Sequence, residues 1–137
     1  MSAIFINPQL IVQQNDKFTT GIIYMPITLA YVISSFKNKK INIKLIDLYG
    51  ENPTKCSKSE NSLIFGNTIE DVDQNVLEKA ECFFINANQV GNHASILNVI
   101  KFLKKNFNKK PIAIIENSQA VTAYSLSKVK DEFLDLG

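Results

Sequence analysis

The stretch CFFINANQVGNHASILNVIKFLKKNFNKKPIAII (residues 82–115) decides the fold. It opens on Cys82-Phe83-Phe84-Ile85, an unbroken apolar run. A strand without polar alternation is buried on both faces, which is the mark of a parallel sheet covered by helices. Ile96, Ile100, Leu103 and Phe107 then follow at spacings of +4, +3 and +4, the period of one helix face. Gly91-Asn92 can cap the start of this helix, and Asn108-Lys109-Lys110-Pro111 ends it. Ile112-Ala113-Ile114-Ile115 is a second apolar run. Two parallel strands need a crossover of about a dozen residues or more, and the helix between them supplies it.

The same alternation extends in both directions. Upstream, Ala3-Ile4-Phe5-Ile6 reads as a first strand that stops at Asn7-Pro8, because proline cannot donate to a sheet ladder. A loop is expected from Gln9 to about Met25. Pro26 suits the first turn of a helix, whose apolar face is Leu29, Ile33 and Phe36 with Ala30 beside them, and which Lys37, Lys39 and Lys40 close. Ile41 to Leu48 is the next strand, ending in Asp47-Leu48-Tyr49-Gly50. Glu51 to Asn61 reads as a polar surface loop, and Leu63-Ile64-Phe65-Gly66 as an apolar patch of undecided type. Thr68 opens a helix with Glu70 and Asp71 in its first turn and Ile69, Val72, Val76 and Ala80 as its stripe. Downstream, a last helix carries Leu126, Val129, Phe133 and Leu136, with Gly137 as its expected cap. The sum is β-α-β-α-β-α-β-α. It predicts one domain over residues 1–137 with an α/β, flavodoxin-like (Rossmann-like) three-layer sandwich. The expected parallel order is 2-1-3-4, with a fifth strand anticipated beyond Gly137.

Composition narrows the classes. Of 137 residues 45% are hydrophobic and the net charge is +2, so the chain has material for a core and no bias toward nucleic acid or an acidic tail. No run approaches the roughly 18 apolar residues of a membrane span. Met1 to Asn7 lacks a signal peptide's basic front and cleavage site. A cytoplasmic protein is therefore expected. The 2 cysteines, Cys56 and Cys82, form no Cys-x2-Cys pair, and the single histidine, His93, cannot make a two-histidine site, so no metal site is expected within the chain. Cys82 reads as a buried strand residue and Cys56 as a loop thiol. The lysines at 101, 104, 105, 109 and 110 read as a solvated face, since no aromatic side chains interleave with them.

Ligands of open α/β sheets bind at the carboxyl ends of the strands, near the switch in strand order. Here that edge carries Asn7 and Pro8, then Asn86, Ala87 and Asn88, then Glu116, Asn117, Ser118 and Gln119. Amides and hydroxyls dominate it, which suits a neutral or amide-decorated ligand. The same residue types also cap helices and make turns. Glycine-rich dinucleotide and triphosphate loops are absent, as is a serine nucleophile elbow. A receiver-type phosphorylation site would need acids where Asn7 and Asn86 stand. Thr19-Thr20-Gly21 is only a faint match to a flavin phosphate loop. Asp47 and Glu116 are the carboxylates best placed at strand ends, with no partner at fixed spacing that would make an acid/base pair. His93, at the start of the third helix, reads as a solvent-facing residue of a capping region.

One stretch goes further. Asn7-Pro8 after the first strand, then MPITLAYVISSFKNKKINIKLIDLYG (residues 25–50), resembles the N-terminal cobalamin-binding-type domain of radical SAM enzymes. The matching positions are Asn7, Pro8, Pro26, Leu29, Ala30, Tyr31 and Asp47. The similarity continues more loosely through AECFFINAN and ends in DEFLDLG. This resemblance implies a module that is not itself catalytic and that holds a cobalamin at the carboxyl edge of the sheet. Asn7, Pro8, Asn86, Asn88, Glu116, Asn117 and Ser118 are the candidate contacts. The implied partner is the protein's own downstream catalytic barrel, which would hold a four-iron cluster and S-adenosylmethionine on a Cys-x3-Cys-x2-Cys motif that is absent here. The lack of Asp-x-His-x-x-Gly disfavours a histidine on cobalt.

Two departures bear on that implication. The family commonly has Gly-Gly-Pro-His after the fourth strand, where this chain has Glu116-Asn117-Ser118-Gln119. It has a small serine where Asn86 stands. Two readings follow: a variant site in which asparagines make polar contacts, or a degenerate scaffold of the same architecture that packs against its own barrel or a partner. A flavin binder is disfavoured by the missing phosphate loop.

Overall fold

The computed structural model describes residues 1–15, 26–36, 39, 41–87, 89–116 and 126–136. Strands β1 (Ser2–Asn7), β3 (Asn42–Asp47), β6 (Cys82–Ala87) and β7 (Ile112–Glu116) form a parallel sheet in the order β3-β1-β6-β7. Strands β2 (Leu10–Gln13), β4 (Cys56–Ser59) and β5 (Ser62–Phe65) form a second, antiparallel sheet in the order β2-β5-β4. Counted among the parallel strands alone, β3-β1-β6-β7 is the expected order 2-1-3-4. The expectation missed three further strands that fall between them in the chain and form the second sheet. Leu10-Ile11-Val12 lies in the expected first loop, and its β-branched run pairs with Leu63 to Phe65, far away in sequence. The expected polar loop from Glu51 to Asn61 contains β4, every residue of which is exposed. Such a strand has no hydrophobic alternation to reveal it.

Alternation along the parallel strands builds two cores. Ile4, Ile6, Ile46, Phe83 and Ile85 face helices α2 (Gln74–Glu78), α3 (His93–Asn106) and α4 (Leu126–Leu134). Ala3, Phe5 and Cys82 face helix α1 (Ile27–Phe36). The result is α1, sheet, then α2 to α4. On the α1 side Phe5 and Phe84 stack with centroids 4.6 Å apart and planes 10° apart, and Phe36 lies 5.8 Å from both. Each such pair adds about 0.5–1.5 kcal/mol beyond the area it buries. Pro26 stands just before α1 and accepts from the Ala30 N–H at 3.0 Å. Leu29 is buried, and Ile33 and Phe36 pack on the core. Ala30, in contrast to its expected place beside them, is exposed. Lys37, Lys40 and Gly137 lie outside the described residues.

The helix expected from Thr68 breaks in two. A 3-10 turn (Ile69–Asp71) ends at Val72, and α2 restarts with Asp73 as its own N-cap, accepting from the Asn75 N–H at 3.0 Å. The restart still delivers the expected stripe, because Ile69 and Ala80 are buried with Val72 and Val76 packed beside them. At the end of α3 the expected apolar position Phe107 is the C-cap. Lys110 departs from the solvated lysine face: its Nζ donates to the Leu77 and Glu78 carbonyls at 3.1 and 2.6 Å and lies 4.8 Å from the Phe107 ring. It adds a charged donor to the carbonyls at the end of α2, of which Leu77 also accepts from the Ala80 N–H. Cys82 is buried, and desolvation and then Glu81 push its thiol pKa up. Cys56 is exposed on β4. Among the described residues no helix is long and apolar enough to cross a membrane.

The small sheet is fastened to the end of β3. Asn67 donates to the Leu48 carbonyl at 2.6 Å. Gly66 has φ +111°, and a Cβ there would stand 2.3 Å from the Leu48 oxygen. Gly66→Ala is expected to cost about 2 kcal/mol or more from the left-handed backbone and this contact together. A urea midpoint equal to wild type would contradict it. Asp71 accepts from the Thr68 N–H at 2.7 Å and pairs with Lys55, the residue just before β4. Lys55 first, then the Thr68 N–H, hold the Asp71 carboxyl below its ordinary 3.8. A lowered pKa in the folded state means that this stabilisation is complete above the ordinary carboxylate range and lost as pH falls through the folded value. The wild type should therefore lead Asp71→Asn at neutral pH, with the lead shrinking as pH falls below the ordinary carboxylate range and at high salt. Parallel acid-unfolding curves for the two proteins would rule this out.

Candidate functional site

The strand register sets the site. Asp47 of β3 stands opposite Asn7 of β1, and Asn86 follows directly after the Ile6–Ile85 pair. Successive side chains alternate between faces. Because Phe5 and Phe84 point toward α1, the residues two positions later, Asn7 and Asn86, point the same way. Asp47, Asn7 and Asn86 thus stand abreast on neighbouring strands, in the row just beyond the aromatic stack. The fourth place in the row is Ile115, opposite Asn86 on β7.

The three polar members bond in series. Asn86 Nδ2 donates to Asn7 Oδ1 at 2.9 Å, and Asn7 Nδ2 donates to Asp47 Oδ1 at 2.8 Å. The same Asp47 oxygen accepts from the Gly50 N–H at 2.9 Å. A Cβ at Gly50 would stand 2.3 Å from Asp47 Oδ2, so a larger residue there would require the Asp47 carboxylate to shift from the position in which it holds Asn7. Asn7 and Asn86 are 7% and 2% exposed. Burying an amide is tolerated when it is bonded, and a lost partner costs about 1–3 kcal/mol. Asn86 Oδ1 has no donor among the described residues. This is the buried polar atom a ligand could satisfy.

The segment after β1 is pinned across the start of α3. Pro8 ends the ladder, and the next amide, Gln9 N–H, donates to Ser95 Oγ at 3.0 Å. Ile11 N–H donates to Asn92 Oδ1 at 3.3 Å, and Gln9 Nε2 donates to the Gly66 carbonyl at 3.3 Å. Asn92 is thus the N-cap residue of α3, but its side chain serves β2 and leaves the helix amides alone. From Gln9 and Ser95 a groove of about 610 Å³ runs down α3, floored by Val99 and Phe102 and flanked by Lys101 and Lys105. None of the described candidate residues lines it.

Of the seven candidates, the structure brings Asn7 and Asn86 together and adds Asp47, which the strand-end reading singled out without a partner. Pro8 sits beside them. Glu116 serves a helix end instead: its Oε2 accepts from the Leu126 N–H at 3.4 Å and caps α4. Asn88, Asn117 and Ser118 lie outside the described residues, as do Gln119 and Thr19-Thr20-Gly21. His93 is not the solvent-facing residue expected. Its Nε2 lies 2.8 Å from Glu132 Oε2 and its ring 5.8 Å from Phe133, so it ties α3 to α4. Among the described residues no three His, Cys, Asp or Glu side chains gather where a metal ion could be held. The arrangement suits a neutral, hydrogen-bonding group beside a buried amide, with the Asn86 carbonyl as the atom left to be satisfied. Sequence reading missed Gln9, Asn92 and Ser95. The signal was available: Asn92 and Ser95 lie at i and i+3 on the stripe that continues to Val99, so polar groups there face the fold and need partners.

No protein-family model matches the chain, and no curated protein or solved structure matches it either.

Proposed function

We propose that this chain is a cobalamin-binding-type module of flavodoxin-like architecture, which positions a corrinoid at the carboxyl ends of β1 and β6 for a radical SAM catalytic domain. The observation that carries the reading is the buried Asn7–Asn86 pair at the place where the strand order switches, between β1 and β6. Connections leave these two strands in opposite directions along the sheet, and that is where open α/β sheets receive ligands. The resemblance of the first fifty residues supports the same assignment. In this reading the iron–sulfur cluster and S-adenosylmethionine belong to the partner domain.

The module's own residues bind and orient; none of them performs a chemical step. Asn7 and Asn86 offer neutral hydrogen-bonding groups, Asp47 holds the row in place, and the aromatic stack beneath keeps water from the row's lower side. When bound, a corrinoid supplies a cobalt centre that can carry an alkyl group. His93 pairs with Glu132. One observation favours the alternative of a scaffold without cofactor: Asn86 and Glu116 are already engaged within the fold, the first to Asn7 and the second as the α4 cap.

Titration of the protein with hydroxocobalamin separates the two. The chain has 4 tyrosines and no tryptophan, so tyrosine fluorescence joins the visible spectrum as a readout. Saturable changes with Kd on the order of 10 μM or tighter are expected. Spectra and fluorescence unaltered at several hundred micromolar (about −5 kcal/mol or weaker) would overturn the cofactor reading and leave the scaffold.

A further inference from the structure

The hydrogen bonds of the strand-end row have a direction, and one end sets it. Asp47 Oδ1 accepts from both Asn7 Nδ2 and the Gly50 N–H. A carboxylate has no proton to give back. Asn7 must therefore turn its NH₂ toward β3 and its carbonyl toward β6. Asn86 must in turn give its NH₂ to that carbonyl. The polarity started at Asp47 thus ends in the carbonyl of Asn86, together with the second N–H of the same amide. On the far side the row is closed by Ile115, which has no hydrogen-bonding side chain. Asn86 is 2% exposed, so bulk water reaches it little.

We infer that the ligand of this site presents a primary carboxamide to Asn86, its N–H on Asn86 Oδ1 and its carbonyl on the free N–H of Asn86. The inference rests on the module reading and specifies the chemistry of the group bound there. Other groups fit worse. A carboxylate satisfies the N–H and opposes the carbonyl. An ester has acceptors alone. An ammonium satisfies the carbonyl but leaves the N–H without an acceptor, and must shed its hydration in a buried place. A carboxamide is both donor and acceptor, and neutral, as the row requires.

The test compares two corrinoids without a nucleotide tail: cobinamide, whose rim carries primary carboxamides, and heptamethyl cobyrinate, in which they are methyl esters. Both are titrated into the wild-type protein by visible absorption. Cobinamide is expected to bind about tenfold tighter or more, and Asn86→Leu, close in volume, should reduce that preference to about twofold or less. In the wild type labelled with ¹⁵N-asparagine, the Asn86 side-chain NH₂ resonances should move with cobinamide and stay with the ester. Equal binding of both corrinoids, a preference that survives Asn86→Leu, or Asn86 resonances unmoved by bound cobinamide would overturn the carboxamide assignment while the module reading stands. Binding of neither corrinoid, nor of hydroxocobalamin, would overturn the module reading and this inference with it. If Asn86→Leu does not fold, the wild-type comparison and the Asn86 resonances decide.

Discussion

Side-chain amides buried at the end of a parallel sheet must find partners on neighbouring strands, and in this protein three strands supply one another. Asn86 bonds to Asn7 and Asn7 bonds to Asp47. The series exists only because β1 lies between β3 and β6, so that Asn7 can reach both ways. A slip of one residue in either pairing would turn a polar side chain to the opposite face and bring an apolar one into its place. The row therefore selects the register of the sheet as well as furnishing its edge. Its cost is directionality: an amide series anchored on a carboxylate ends in an acceptor that the fold does not itself satisfy among the described residues.

Around this row the protein builds a fixed frame. Below it the Phe5, Phe84 and Phe36 rings fill the space under α1. Beside it Gly50 and Gly66 allow backbone to approach where a Cβ would collide. The small sheet, attached through Gly66, Asn67 and Lys55, holds β2 across the start of α3. Glu116 and His93 fix α4 from two sides, one at its first amide and one through Glu132. Several polar residues that resemble site chemistry in the bare sequence thus hold the fold together, and their neighbours Asn7 and Asn86 are left as the groups aimed at the switch point.

The sequence discloses this frame unevenly, for physical reasons. Continuous apolar runs announced β1, β6 and β7, and the period of Ile96, Ile100 and Leu103 announced α3, because burial on a regular element leaves a local pattern. The row itself was also within reach, since Asn7 and Asn86 each follow a core aromatic by two positions. By contrast β4 is exposed throughout, and β2 finds its partner only through a distant segment. No window of neighbouring residues encodes the β2–β5 pairing, whereas β4 and β5 form a local hairpin over residues 56–65 whose exposed first strand has no hydrophobic alternation to mark it. The break between Ile69 and Gln74 was hidden by a stripe that stays intact across it, and only Asp73, a favourable N-cap, marked the restart. Lys110 and Glu116 act on helix ends that lie far away or across a connection, so their charge alone pointed to solvent or to ligand.

Everything at the sheet's edge turns on Asn7 and Asn86 being a buried, bonded pair anchored on Asp47. Hydrogen exchange of their side-chain amides, followed by NMR in the ligand-free protein, tests it most directly. The Nδ2 protons of both residues should exchange far more slowly than those of exposed asparagines such as Asn98. Exchange of either NH₂ group at the rate of an exposed side chain would contradict it.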